Sequence, residues 1–171
     1  MTSSTSPARI ELTTDRLVLR AWTAAEATAV QGGNRSVHWA DDFPAEGDRV
    51  IAGLLGANPA WLSEHGHRLI VERDSGLVVG SIGLFWPPSG GTVEIGYGIV
   101  PSRRGRGYAS EAARALAAFA LAAPGVHTVV ATVELSNPAS ARVLENAGFE
   151  LEATENDTAR YRITRPDHDR R

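Results

Sequence analysis

Near its middle the chain runs through an apolar, glycine-spaced stretch, Glu94-Ile95-Gly96-Tyr97-Gly98-Ile99-Val100, then through Pro101-Ser102-Arg103-Arg104-Gly105-Arg106-Gly107, and straight into an alanine-rich stretch that ends at Ala123. The alternation around Ile95, Tyr97 and Ile99 predicts a strand. In the alanine-rich stretch Ala109, Ala112, Ala113, Leu116, Phe119 and Ala120 recur at the spacing of one helical stripe, and Pro124-Gly125 stops it. A strand, a glycine loop and a helix start make an anion site from backbone alone. The first amides of a helix have no intrahelical acceptor and carry the positive end of its dipole. Gly105 and Gly107 let the main chain approach a ligand without a Cβ and permit positive φ where the turn needs it. This spacing points to a pyrophosphate.

Two familiar nucleotide loops are excluded. A Walker A loop ends in Lys-Ser/Thr, and the 17 basic residues of this chain are all arginine. A dinucleotide fingerprint needs Gly-x-Gly-x-x-Gly and an acid about 20 residues on, whereas Gly107 is followed by Tyr108-Ala109-Ser110. What remains is Arg104-Gly105-Arg106-Gly107-Tyr108-Ala109, of the pattern Arg/Gln-x-x-Gly-x-Gly/Ala.

The remaining periodicities predict the rest of an α+β arrangement. Leu12 to Ala21 reads as a strand, Ala24 to Val30 and Gly47 to Leu55 as helices, and Trp39 to Pro44 as a loop between them. Arg68 to Arg73 and Leu77 to Trp86 read as strands joined by the hairpin signal Asp74-Ser75-Gly76. Thr92 to Val100 and Val126 to Glu134 are further strands. Asn137 has the chemistry of an N-cap with Pro138 at the first helical position, and Gly148 that of a left-handed cap after Ala147. Phe149 to Thr154 and Ala159 to Ile163 form a closing strand pair. One domain over residues 9–165 is expected, with residues 1–8 and 166–171 as disordered ends.

Composition narrows the function. The 171 residues carry a net charge of −3, which argues against a nucleic-acid surface despite Arg103, Arg104 and Arg106. No cysteine is present, so disulfides and thiol catalysis are excluded. Neither a secretory leader nor a membrane-spanning apolar run is visible, and the expected setting is the cytoplasm. His65 and His67 lack the further ligands a metal site requires. Trp22, Trp61 and Trp86 read as core or rim aromatics.

The loop Arg104–Ala109, together with Leu12-Thr13-Thr14-Asp15-Arg16-Leu17-Val18-Leu19-Arg20, Glu94-Ile95-Gly96-Tyr97, Asn137-Pro138-Ala139-Ser140 and Ala147-Gly148-Phe149, resembles the GNAT superfamily of acyl-CoA-dependent N-acyltransferases. These segments look most like its RimJ/RimL-like branch of ribosomal-protein N-terminal acetyltransferases. The resemblance implies a mixed, mostly antiparallel sheet flanked by helices, with a splayed strand pair forming the acyl-CoA cleft. It implies acetyl-CoA as cosubstrate, held by the amides of Arg104, Gly105, Arg106, Gly107, Tyr108 and Ala109 and by the backbone of Tyr97 and Ile99, with Asn137 beside the pantetheine arm. The implied acceptor is a primary amine of a small molecule or of a peptide or protein N-terminus, in a monomer or a homodimer. A silent CoA-binding sensor on the same fold is the alternative.

Within that frame Glu94, expected to be partly buried, is either the general base, directly or through water, or a solvated strand-end acid. Ser140, one turn into its helix, is placed to orient or protonate the leaving sulfur. Many members carry an acidic tyrosine seven residues after the asparagine, but that position is Leu144 here. Gly96 and Gly98 fit either a bulge with close backbone approach or packing beneath a helix. Trp39, Asp41, Asp42 and Phe43 are expected to bind the acceptor amine through charge and cation–π contact, or else to form a solvated loop with one buried aromatic.

Overall fold

The computed structural model describes residues 11–165; the expected disordered ends lie outside them. The chain begins with β1 (Leu12–Thr13), β2 (Leu17–Ala21), α1 (Ala24–Gly32) and α2 (Glu46–Ala57). β3 (His67–Glu72), β4 (Val78–Leu84) and β5 (Thr92–Ile99) follow. Next come α3 (Tyr108–Leu121), β6 (Thr128–Glu134), α4 (Pro138–Asn146), β7 (Glu150–Glu155) and β8 (Thr158–Thr164). The strands form one eight-stranded sheet in the order β1-β2-β3-β4-β5-β6-β8-β7. Every pairing is antiparallel except that of β5 with β6. Among the described residues no helix is long and apolar enough to cross a membrane.

The sequence reading of Leu12 to Ala21 as one strand is corrected. The stretch folds back on itself, pairing Leu12 with Leu19 and Thr13 with Val18. Thr14, Asp15 and Arg16 form the bend, and the Thr14 amide donates to the Leu17 carbonyl at 2.8 Å. Short alternation around Leu17 and Leu19 is satisfied equally by one long strand or by a hairpin arm, so periodicity alone did not separate them.

Local signals fix the helices. Thr23 and Glu26 cap α1 reciprocally, and Arg20 grips the Glu26 carboxylate at 3.0 and 2.8 Å. The N-cap of α2 is Ala45, which offers no side-chain acceptor. Asp48 reaches back instead, and its Oδ2 accepts from the Ala45 amide at 2.8 Å. α3 lays Ala112, Ala113, Leu116, Ala117 and Ala120 against the sheet, all fully buried, while Ala109 and Phe119 at the ends of the stripe are half-buried. Small alanines bring the helix close to the sheet and aim its first turn at the end of β5.

The loop between α1 and α2 is not open. Trp39 and Phe43 pack edge to face with ring centroids 5.2 Å apart, and both are buried. The Ala40 amide donates to Val78 and the Val78 amide to His38, which staples this loop to the start of β4.

Candidate active site

β5 and β6 pair through three residues only: Thr92 with Thr128, Val93 with Val129 and Glu94 with Val130. Beyond Glu94 the strands separate, which leaves the outer edge of β5 from Ile95 to Ile99 without a strand partner among the described residues. A cavity of about 560 Å³ opens at this splay. Tyr97, Gly98 and Ile99 line it from β5, and Arg104, Gly105, Gly107, Tyr108 and Ala109 from the loop and helix start. Asn137 and Ser140 close it from α4. Of the residues expected to hold the donor or to act on it, Arg106 and Glu94 do not line it.

Gly105 and Gly107 both hold positive φ, +81° and +83°, the conformation that favours glycine. Gly107 is the N-cap of α3, so the amides of Tyr108, Ala109 and Ser110 open the helix without intrahelical acceptors, while Glu111 donates to the Gly107 carbonyl at 3.1 Å. This is an anion cradle made by the backbone.

Side chains brace the cradle from behind. Glu72, buried at the end of β3, accepts from the Tyr108 hydroxyl at 2.7 Å, from Arg103 at 3.2 Å and from Arg106 at 3.4 Å. Burial alone would raise its carboxyl. Hydrogen bonds from Ser75, Tyr108 and Arg103 prevail and hold it below the usual carboxylate range. Glu111 ties the first turn of α3 to the β1–β2 bend. It accepts from Thr14 Oγ1 at 2.6 Å, from the Arg16 amide at 2.8 Å and from the Arg16 guanidinium. Arg16 also donates to the Arg106 carbonyl at 2.7 Å and lies over the Tyr108 ring.

Arg104 Nε donates to the Ile99 carbonyl at 2.9 Å, which occupies one of the two lone pairs of that carbonyl. Gly96 and Gly98 form no bulge, since β4 and β5 stay in register from Gly80–Ile99 to Leu84–Ile95. A Cβ at Gly98 would meet open space, whereas one at Gly96 would meet the Phe85 ring at 3.2 Å.

Asn137 caps α4 as expected, its side-chain oxygen accepting from the Ser140 amide at 3.3 Å. Ser140 is joined by a residue to which only a backbone role had been given. The Tyr97 hydroxyl lies 3.3 Å from Ser140 Oγ and 3.3 Å from its carbonyl oxygen. Burial raises the Tyr97 phenol, so it keeps its proton. Leu144, at the position where a tyrosine was weighed, is fully buried.

A second cavity, of about 350 Å³, lies on the other face of β5 and shares Tyr97, Gly98, Ile99 and Arg104 with the first. Asp48, His67 and Ser81 are its polar walls and all three are buried. Ser81 Oγ donates to Asp48 Oδ1 at 2.5 Å. Burial raises the Asp48 carboxyl against the hydrogen bonds from Ser81 and Ala45. It also lowers the His67 imidazole to about 4. Sequence reasoning missed these residues. Asp48 carried a usable signal, three residues after a position with no capping side chain; Ser81 carried none.

The four residues expected at the acceptor end line neither cavity. Trp39 and Phe43 belong to the core, a correction that follows from their mutual packing. Asp42 accepts from the Ser102 amide and hydroxyl, both at 2.8 Å, and so caps the 3-10 turn Pro101–Arg103. Asp41 is exposed. Glu94 is exposed too and lines neither cavity, so the partial burial expected of it is absent.

Comparison with known proteins places this geometry. Residues 16–150 match the family described as Acetyltransferase (GNAT) domain, and the chain belongs to that family, whose acetyltransferases use acetyl-CoA. The uncharacterized N-acetyltransferase YjdG of Bacillus subtilis (strain 168) is 37% identical over 84 residues, 48% of this chain and 50% of YjdG. The chain thus spans about half the length of that relative in the match. The crystal structure of an acetyltransferase from Agrobacterium tumefaciens str. C58 superposes with a TM-score of 0.67 at 27% identity, covering 96% of this chain and all of that one. A RimL ribosomal L7/L12 alpha-N-protein acetyltransferase in complex with coenzyme A has a TM-score of 0.67 at 17% identity, covering 91% of this chain and 98% of that one, a likeness of fold.

Proposed function

We propose that this protein transfers an acetyl group from acetyl-CoA to a primary amine of a small molecule, peptide or protein, by direct attack in a ternary complex in the cytoplasm. One observation carries the reading. The backbone anion cradle and the buried polar cavity meet across a single strand at Tyr97, Gly98 and Ile99. An acetyl donor and an acceptor can therefore be held on the two faces of the same wall.

In this reading the amides at the start of α3 bind the pyrophosphate, and the open edge of β5 pairs with the amides of the pantetheine arm. Asn137 positions that arm and caps α4. Ser140, with the protonated Tyr97 hydroxyl beside it, supplies a proton to the leaving sulfur. The RimJ/RimL-like branch remains our finer assignment, resting on the segments Leu12–Arg20, Asn137–Ser140 and Ala147–Phe149.

The test is free-thiol release from acetyl-CoA with a panel of amines and short peptides. Acceptor-dependent release is expected, slowed in Ser140→Ala and slowed further in Ser140→Ala/Tyr97→Phe, while CoA still raises the melting temperature of both. Tight binding with no thiol released under any acceptor would favour the sensor instead.

A further inference from the structure

Gly96 and Gly98 line the cavity behind β5, and a Cβ at Gly98 would meet open space. In the sheet ladder His67 stands opposite Gly83, and Gly83 opposite Gly96; one step along, Leu69 stands opposite Ser81, and Ser81 opposite Gly98. Partners across a ladder point to the same face, so His67, Ser81 and three positions without side chains share one surface. A Cβ at Gly83 would collide with the His67 ring. α2 roofs this hollow with Asp48 and Ile51.

The polar groups inside are incompletely paired. His67 is 1% exposed, yet among the described residues its Nε2 has no hydrogen-bond partner. Buried side-chain nitrogens are as a rule paired, and an exception next to a cavity points to a partner that comes from outside the chain. Ser81 gives its proton to Asp48 and keeps lone pairs free to accept one.

We propose that this cavity is the acceptor subsite, that it takes a primary monoamine bearing a neutral hydrogen-bonding group, and that Ser81 and Asp48 remove the amine proton while His67 holds the second group. This rests on the N-acetyltransferase reading given above. Among the described residues Asp48 is the only acid lining the cavity, and Arg104 lines it as well, so a polycation would find one carboxylate and a repelling guanidinium. Ile51 and Ile82 supply apolar walls for a carbon frame. The ionisable groups around Asp48 are Arg49 on its own helix, His67 from β3, Tyr97 from β5 and Arg104 from beyond β5. Desolvation makes its carboxylate a stronger base than an exposed one.

The amine nitrogen forms its bond to the acetyl carbon as the carbon–sulfur bond breaks. One N–H proton passes to Ser81 Oγ while the hydroxyl proton of Ser81 moves to Asp48 Oδ1. The sulfur leaves as thiolate and takes a proton from the Ser140–Tyr97 side, giving an amide and a free thiol. Ser81 touches the reacting nitrogen; Asp48 acts through it as a positioning residue.

Three probes separate the elements of the proposal: glycinamide, the similarly sized n-butylamine, and spermidine, each added to the full chain with CoA present. The imidazole NMR signals of His67 report binding, and thiol release from acetyl-CoA reports transfer. Glycinamide is expected to move the His67 Nε2 signal at lower concentration than n-butylamine or spermidine. Ser81→Ala and Asp48→Asn should lower kcat at least tenfold with KM little changed and the CoA-induced melting shift intact. Ser81→Thr should recover most of the rate, and His67→Gln should raise KM for glycinamide at least fivefold. Wild-type kcat in both Ser81→Ala and Asp48→Asn would overturn the proton relay and leave the transferase reading standing. A His67 shift without thiol release from any amine would keep the subsite and sink the transferase reading. Tighter binding of spermidine would overturn the acceptor class, and no shift with any probe would overturn the subsite.

Discussion

The two cavities that meet at β5 are made of different material. The one at the splay is backbone: positive-φ glycines, amides at a helix start and a strand edge without a partner. The one behind the strand is side chain: Asp48 from α2, His67 from β3 and Ser81 from β4, over a floor of glycines. A site made of backbone is broken by changing what conformations the chain can adopt. A site made of side chains is broken by removing a functional group from an unchanged fold.

The largest effect is expected where backbone freedom is removed. Gly107→Val forces a β-branched residue into φ +83° and brings its Cβ to 3.3 Å from Arg16 Nη2. Strain of roughly 1–3 kcal/mol at such a position corresponds to a loss of CoA affinity of about five- to 150-fold if it is relieved by distorting the loop. Calorimetric titration with CoA would measure it. Unchanged affinity in Gly107→Val, beside a clear loss in Ser81→Ala, would invert the comparison.

The side-chain cavity should reveal itself through pH. His67 titrates at about 4 in the fold against 6.5 when exposed. The unfolded chain therefore takes up a proton that the folded one refuses, and this contribution is fully present above pH 6.5 and lost as the pH falls toward 4. From pH 7 to pH 5 the loss is roughly 2 kcal/mol. Asp48, raised by burial, acts in the opposite sense, since protonation relieves its desolvation. Urea denaturation at the two pH values should show the drop in the wild type and a much smaller one in His67→Gln. Equal slopes in the two proteins would mean that the imidazole is hydrated in solution.

At the α4 end, Asn137→Ala should cost about 1 kcal/mol through the lost cap, with Asn137→Asp close to the wild type. Melting curves with and without CoA would separate capping from cofactor contact. The smallest effect is expected at Glu94, exposed and outside both cavities. Glu94→Gln should leave kcat within about twofold of the wild type, because a solvated carboxylate acting only through water is replaced by solvent. A tenfold fall would return the base to Glu94 and sharpen the choice between it and Asp48.

The difference in material also explains what the residues disclosed in advance. Backbone sites are written locally: glycines two apart, a helix stripe beginning at once, and an asparagine–proline start three residues before Ser140 can be read within a few positions of one another. The side-chain cavity is assembled from three elements whose residues have no local pattern. Ser81 sits 33 positions from the carboxylate it bonds. His67 was weighed in the sequence only as a metal ligand beside His65 and rejected as one; in the fold His65 stacks on Trp86 and Phe119 while His67 turns inward. Trp39 and Phe43 were misread for a related reason, because two aromatics beside two acids suit a ligand as well as they suit each other. Only their burial decides between these. Tyr97 was legible as a strand residue, but its hydroxyl partner on α4 was not.

Glu111 carries a consequence for where the chain can be shortened. The first turn of α3 is held by Thr14 and Arg16, about 95 positions upstream, through four hydrogen bonds to one carboxylate or its neighbours. Trimming as far as Leu17 would leave every residue of the glycine loop and both cavities in place, yet remove the strut that holds that turn in register with the sheet. Such a shortened chain should fold around the same core and still lose its grip on the nucleotide end of the donor, a defect that no inspection of the loop itself would reveal.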